Sequence, residues 1–259
     1  MTTETKTWVP SIPAVTLEPE KTTDLLSRVR LANDQVYSDL QSFVCSEQIQ
    51  RFKGPLTGGH ERAIDRVSAK VSFENGSEHY TEILQNERPR TNISRIGGAW
   101  SEGEFGTLLQ QTQILLKTQP VAFRAYTNRD GAPAAIFNFE VSDQESPWAL
   151  NIAGRDYRVG FRTEIWVSRA TGQILKISRT STSIPSGMGI SELRWGVELK
   201  AVDLNGRTWL LPKRGEYEVR YEGKGHREWN TLSFSEYRRY GSEATLRFDT
   251  VAQPTAPRD

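Results

Sequence analysis

Val67 to Leu84 reads VSAKVSFENGSEHYTEIL. Val67, Ala69, Val71 and Phe73 alternate with polar residues, Glu74-Asn75-Gly76-Ser77 follows, and a second run starts at Glu78. Side chains along a strand point to opposite faces, so this alternation gives one apolar face and one wetter face. Asn-Gly between two such runs is a strong hairpin signal, because a type I′ turn needs positive φ at both central residues. The stretch predicts two antiparallel neighbours folded back at Asn75-Gly76.

The same grammar repeats along the chain. Ala135, Phe137, Phe139 and Val141 alternate after the turn Asn128-Arg129-Asp130-Gly131. Phe161 to Val167 and Gln173 to Arg179 flank the tight connection Ala170-Thr171-Gly172. Leu193, Trp195, Val197, Leu199 and Ala201 alternate, then Asn205-Gly206 turns the chain into Thr208 to Leu211. Tyr217, Val219 and Tyr221 precede Gly223-Lys224-Gly225, Trp229 to Tyr237 returns, and Leu246 with Phe248 closes the series. Short Gly-containing turns join neighbouring antiparallel strands, whereas parallel pairing needs long crossovers that this spacing has no room for.

Two segments carry a helical period instead. Leu25, Leu26, Val29, Ala32, Val36 and Leu40 recur at steps of three and four, which predicts an amphipathic helix starting near Thr22 or Thr23. A second helix is expected from Ser101, where Ser101 and Glu104 have capping-box spacing and Trp100 and Phe105 stand as a hydrophobic staple. Phe105, Leu108, Leu109, Thr112 and Leu116 form its stripe to about Lys117, and Pro120 stops it. The fold class that follows is mainly β, a large antiparallel sheet packed on an N-terminal helix and a second short helix.

Composition narrows the function classes. Lys+Arg is 33 against Asp+Glu 32. A nucleic-acid partner is not expected, because phosphate neutralisation by a basic excess supplies most of that affinity. Tyr237-Arg238-Arg239-Tyr240 could stack on single-stranded nucleic acid; the balanced charge favours a strand end with solvent-facing arginines. No run reaches the ~20 apolar residues of a membrane span, so no transmembrane segment is expected. The start, from Met1 to Pro10, has no basic stretch, apolar run or cleavage site, so no signal peptide is expected in this chain. Cys45 is the only cysteine, which suits a reducing compartment and equally the many periplasmic proteins that lack disulfides.

No motif names a reaction. His60, His79 and His226 share no metal-ligand spacing, and Cys45 has no partner, so neither a metal nor a cofactor is expected. Cys45 lies in Phe43-Val44-Cys45, where a lone cysteine reads as a small buried hydrophobe rather than a nucleophile paired with His79. Glu102 and Glu104 suit a helix start without any catalytic role. Gly97-Gly98 and Gly103 to Gly106 lack the Lys-Ser/Thr of a phosphate loop. No catalytic residue is assigned, and no individual ligand-binding residue can be named. An enzymatic reading would require His79 or His226 to meet a carboxylate and a hydroxyl in a cleft.

One stretch carries a family likeness. Glu164-Ile-Trp-Val-Ser-Arg-Ala-Thr-Gly-Gln-Ile-Leu-Lys-Ile177 resembles a hairpin of the outer-membrane lipoprotein carriers, the LolA/LolB-like superfamily. There the strand reads x-W-h-D-x-x-T-G-x-h-h-K/R-h, with h apolar; Ser168 stands here in place of the Asp. Phe43 to Gln48, Ser101 to Gly106, Leu210-Leu211-Pro212 and Tyr237 to Glu243 resemble uncharacterised secreted acidobacterial proteins over roughly Glu18 to Asp249.

The resemblance implies a sheet rolled into an incomplete barrel, with helices plugging its concave side, in a periplasmic or secreted protein. It also implies an acyl-binding lining too diffuse to give single residues. The expected organisation is a flexible arm over 1–17, one half-barrel domain over 18–249 and a flexible tail over 250–259. Two functions fit: a non-enzymatic carrier sheltering a lipid or lipoprotein acyl chain, or an interaction or sensory module with a closed core and a protein partner.

Overall fold

Leu25, Val29, Asn33, Val36 and Leu40 make the buried stripe of the first helix, α1 (Thr22–Leu40). The helix starts where its sequence period predicts. Asn33 is the one polar member of that stripe, and its amide explains its burial. Nδ2 donates to the Val29 carbonyl at 2.6 Å, and Oδ1 accepts from the Ile174 N–H at 3.2 Å. A computed structural model describes residues 21–239, apart from Gly58, Ala153 and Lys224. The expected arm, the tail, Tyr240 and the Leu246–Phe248 strand lie outside the described residues.

The first four strands are β1 (Phe43–Pro55), β2 (Arg62–Glu74), β3 (Ser77–Gln85) and the short β4 (Arg88–Pro89). A single 3₁₀ turn follows at Ile93–Arg95, and then the second helix, α2 (Thr107–Thr118). Next come β5 (Ala122–Arg129), β6 (Ala132–Val141), β7 (Ala149–Ile152), β8 (Arg155–Arg158), β9 (Gly160–Ser168) and β10 (Ile174–Ser183). Three long strands end the described series: β11 (Ile190–Leu204), β12 (Arg207–Tyr221) and β13 (His226–Arg239).

Among the described residues, eleven strands form one sheet in the order β4-β3-β2-β1-β13-β12-β11-β10-β9-β6-β5, while β7 and β8 pair separately as a small hairpin. Every pairing is antiparallel. The sheet does not close; it is an incomplete barrel with β4 and β5 at its edges. The Asn-Gly and Asp-Gly turns behave as their sequences require. Asn75 and Gly76 have φ of 52° and 79°, Asn205 and Gly206 53° and 77°, and Asp130 and Gly131 50° and 80°.

The two helices cover one face. Gly172, at the β9–β10 turn, lies against α1 so closely that an added Cβ would stand 2.9 Å from the Arg28 carbonyl carbon. Arg28 in turn donates to the Arg169 and Ala170 carbonyls at 2.8 and 3.1 Å. Between the helices, Arg30 Nε donates to the Leu116 carbonyl at 2.8 Å, and Lys117 pairs with Asp34 at 2.7 Å. The covered face is apolar along each strand: Val67, Val71 and Phe73 on β2, Phe161, Ile165 and Val167 on β9, Leu193, Val197 and Leu199 on β11. No helix among the described residues is long and apolar enough to cross a membrane.

Two expectations need correction. The second helix begins at Thr107, not at Ser101, for the reason given below. Thr208–Leu211 and Tyr217–Tyr221 are one continuous strand, β12. Pro212 cannot donate to a sheet ladder, but it sits at the register shift opposite Glu198/Leu199, the kind of irregularity where a strand tolerates proline.

Candidate functional site

Residues 96–106 form a strap between the first sheet edge and α2, and the sheet holds this strap at both ends. At its start, Arg51 Nη1 donates to the Gly97 carbonyl at 2.7 Å, and the Ala99 N–H donates to Glu228 Oε2 at 2.9 Å. Asn230 Nδ2 reaches the Ala99 carbonyl at 3.2 Å. At its end, Glu78 on β3 accepts from the N–H groups of Gly103, Gly106 and Thr107 at 3.1, 2.7 and 3.2 Å. A helix start leaves such N–H groups without partners inside the helix. Here a carboxylate 28 residues upstream of Gly106 supplies the cap.

That distant cap moves the helix start. Ser101 does meet Glu104, but hydroxyl to carboxyl rather than side chain to backbone. Gly106 is then the last residue before the helix, and only glycine fits it: an added Cβ would fall 2.3 Å from the Phe73 ring. Gly103 and Gly106, each of which would cost a helix interior about 1 kcal/mol relative to Ala, therefore lie outside it.

Beside the strap opens a cleft of about 980 Å³, walled by the strap, α2, the β7–β8 hairpin and the inward faces of β11 and β12. Its size lies at the upper end of the range for small-molecule sites, about 300–1,000 Å³. Five aromatic residues stand in its walls: Trp100, Trp148, Trp195, Tyr217 and Tyr221. Trp148 fixes the floor, 5.7 Å from the Trp195 ring and 5.8 Å from the Phe161 ring. Glu102 and Gln111 are polar members of the lining.

Two arginines lie behind these walls. Arg51 pairs with Asp65 through both carboxylate oxygens, at 2.7 and 2.6 Å, and lies 5.5 Å from the Trp100 ring. Arg51 beside it holds the Asp65 carboxyl below its usual range. Arg179, on β10, is fully buried, and its hydrogen-bond partners among the described residues are neutral: Gln111 Oε1 at 2.5 Å and Thr112 Oγ1 at 3.3 Å, both on α2. The Phe161 and Trp195 rings lie 4.5 and 5.5 Å from its guanidinium carbon, and its Nε has no hydrogen-bond partner. Burial brings its pKa down to about 9.

Carboxyl groups are buried under the strap as well. Burial, joined by the charges of Glu78 and Glu104, holds Glu47 far above the usual carboxylate range. Burial pushes Glu104 up to about 8 against the pull of the Ser101 hydroxyl. Burial also raises Glu78, opposed by its bonds from Tyr80 and the strap N–H groups. One oxygen each of Glu47 and Glu104 has no hydrogen-bond partner, which suits a neutral carboxyl. These acids are not gathered as metal ligands: among the described residues no group of three or more His, Cys, Asp or Glu could hold an ion.

The residues weighed from sequence fall elsewhere. His60 and His79 are exposed, and His226 stacks on Tyr221 at 4.7 Å. Cys45 is buried, and burial pushes its thiol far up. Tyr237 is buried with its hydroxyl on the Pro212 carbonyl, while Arg239 lies 4.8 Å over the Trp209 ring. The sequence reading placed Glu104 at a helix start and passed over Glu47, Glu78, Arg51 and Arg179. The signal for three of them was present: Glu47 and Arg51 share parity with Phe43, Cys45 and Ile49, and Arg179 shares it with Ile177.

On the opposite face a groove of about 450 Å³ crosses β1 and β10–β13. Arg66, Lys176 and Arg214 line it beside Glu198 and Glu216, with Lys176 at 3.7 Å from Glu198 and 3.6 Å from Glu216. The aromatic cleft has about twice its volume and is the stronger candidate for an apolar ligand.

No family model matches the chain, and no curated protein matches it. Among solved structures, a domain described as that of an outer membrane lipoprotein-sorting protein, from Vibrio parahaemolyticus, shares 9% identity over 86% of this chain and 93% of that one, with a TM-score of 0.43. A DUF1329 family protein from Desulfovibrio piger shares 12% over 86% and 94%, with a TM-score of 0.39. The MucA/MucB complex of Pseudomonas aeruginosa gives 10% over 85% and 99%, with a TM-score of 0.22.

Proposed function

We propose that this chain is a non-enzymatic, carrier-like binding protein that shelters a lipid or acyl chain on the concave side of its half-barrel. The observation that carries the reading is the aromatic cleft of about 980 Å³, which Trp148, Trp195, Tyr217 and Tyr221 line. Removing apolar ligand surface from water there supplies about 25 cal/mol per Å² before the costs of association. The periplasmic or secreted setting rests on the likeness of Glu164–Ile177 to the lipoprotein carriers. The single-domain reading of 18–249 draws support from the one sheet that takes in eleven strands.

Purification without detergent, followed by solvent extraction and mass spectrometry, tests this. The expected result is recovered acyl lipid, together with a hydrophobic fluorophore that brightens on binding and is displaced by added lipid. A protein that yields no lipid and leaves the fluorophore dark sinks the reading. The second reading, a protein-interaction or sensory module, draws on β5. That strand pairs only with β6 among the described residues, so its outer edge is open to an added strand.

A further inference from the structure

Arg179 sits one side chain behind the cleft. Gln111 and Trp195 line the cleft and also touch the guanidinium, Gln111 by a hydrogen bond of 2.5 Å and Trp195 by its ring at 5.5 Å. Trp148, also in the lining, packs on both Trp195 and Phe161, the two rings that flank the guanidinium. A buried cation ordinarily takes a counter-charge, because an isolated charge in an apolar setting is strongly penalised. This chain meets that requirement at Arg51 with a two-oxygen bond to Asp65. At Arg179 it does not: the acceptors are one amide oxygen and one hydroxyl, and Nε is left without any. Packing alone gives no reason for a guanidinium here, since a methionine would fill the same apolar slot without the charge.

We propose that the ligand enters the cleft head first, and that its head carries an anionic oxygen, a carboxylate or a phosphate, which displaces the Gln111 amide and pairs with Arg179. The amide oxygen of Gln111 stands in for that anion in the empty protein. A planar guanidinium suits both head types, because its donors match two oxygens side by side. Glu102 lines the same cleft. Burial raises its pKa, so it sheds its charge more readily than a free carboxylate and opposes an anionic head less. The proposal rests on the reading of the cleft as an acyl-chain site and adds the chemistry of the head.

The test uses calorimetry at pH 7.5 with dodecanoate, dodecyl phosphate and dodecanol on delipidated protein. At least one anionic ligand is expected to bind about 10- to 100-fold more tightly than the alcohol, the range of a hydrogen bond to a charged group. The better of the two anions names the head. In Arg179→Met the ratio of anion to alcohol affinity should fall to about one. Equal wild-type affinities for acid and alcohol overturn the proposal and leave the acyl-chain reading standing, whereas failure of all three ligands removes both. Equal loss of all three in Arg179→Met also overturns it, because the residue then only packs. Should that variant not fold, Gln111→Glu gives Arg179 a built-in carboxylate and should lower the same ratio. An unchanged ratio there counts against the proposal.

Discussion

Arg51 and Arg179 are both buried, 2% and 0% exposed, on the face of the sheet that the helices cover. Their surroundings differ in one respect. Arg51 faces a carboxylate, a backbone carbonyl and an indole, and through them it ties the strap to β1 and β2. Arg179 faces an amide, a hydroxyl and two rings. The first arrangement closes on itself and serves the fold. The second leaves a charge with nothing inside the described protein to oppose it, next to a space large enough for a ligand. Burial alone therefore does not separate the two arginines; the counter-charge does.

The contrast should be visible in stability. Asp65→Ala strands Arg51 as an unpaired buried cation and should cost about 3–5 kcal/mol in chemical denaturation. A cost below about 1 kcal/mol would mean that the Arg51 end is no better compensated than the other.

The second effect is on pH, and the two sides run in opposite directions. Asp65 is held below its ordinary range, so its contribution is present above its unfolded pKa and fades as pH falls through the folded one. Glu104 is raised from 4.5 to about 8, so its contribution is complete below pH 4.5 and fades as pH rises toward 8. At 1.36 kcal/mol per pKa unit, the full alkaline loss should amount to about 5 kcal/mol, of which about 3–4 kcal/mol falls between pH 5 and 8. Glu47 and Glu78, raised for the same reason, act in the same direction. In Glu104→Gln the slope of unfolding free energy between pH 5 and 8 should flatten, measured by urea titration at each pH. A slope identical to the wild type would remove Glu104 from this account.

The smallest expected change is the sharpest comparison. Arg179→Met gives up two neutral hydrogen bonds and relieves an unpaired charge, so it should alter stability by less than about 1 kcal/mol. Should it instead cost as much as Asp65→Ala, Arg179 belongs to the scaffold and the distinction between the two arginines dissolves.

Much of the sheet could be read from the chain because its turns are local. Asn75-Gly76 and Asn205-Gly206 fix hairpins by a requirement on two residues alone, and α1 declares itself through a one-sided apolar stripe. The start of α2 could not be read, because its cap comes from Glu78 on β3 while Ser101 and Glu104 imitate a local one. β5 and the β7–β8 hairpin carry no such mark, because none of their strand residues is buried and no apolar side sets them apart. Pro212 split one strand into two on paper because the bulge that accommodates it depends on the register with β11. Of the site, strand parity could have flagged Glu47, Arg51 and Arg179 as inward charges. Which of them has a counter-charge depends on contacts such as Arg51 to Asp65 across two strands, and the sequence order of the residues carries no mark of that.

One seam in the sheet has a consequence for how the molecule is made. β1 pairs along its length with β13, Phe43 opposite Arg239 through Pro55 opposite His226. On either side of that seam the strands are joined by connections far shorter than the span from β1 to β13, so β1–β4 and β5–β12 can each assemble as a half. The ribosome delivers the joining strand after both halves have emerged. Contacts between residues this far apart in sequence slow folding, and until β13 arrives the nascent chain carries a bare edge on β1. Loss of the chain from His226 onward would take away the hinge pin between the halves while sparing the strands of each.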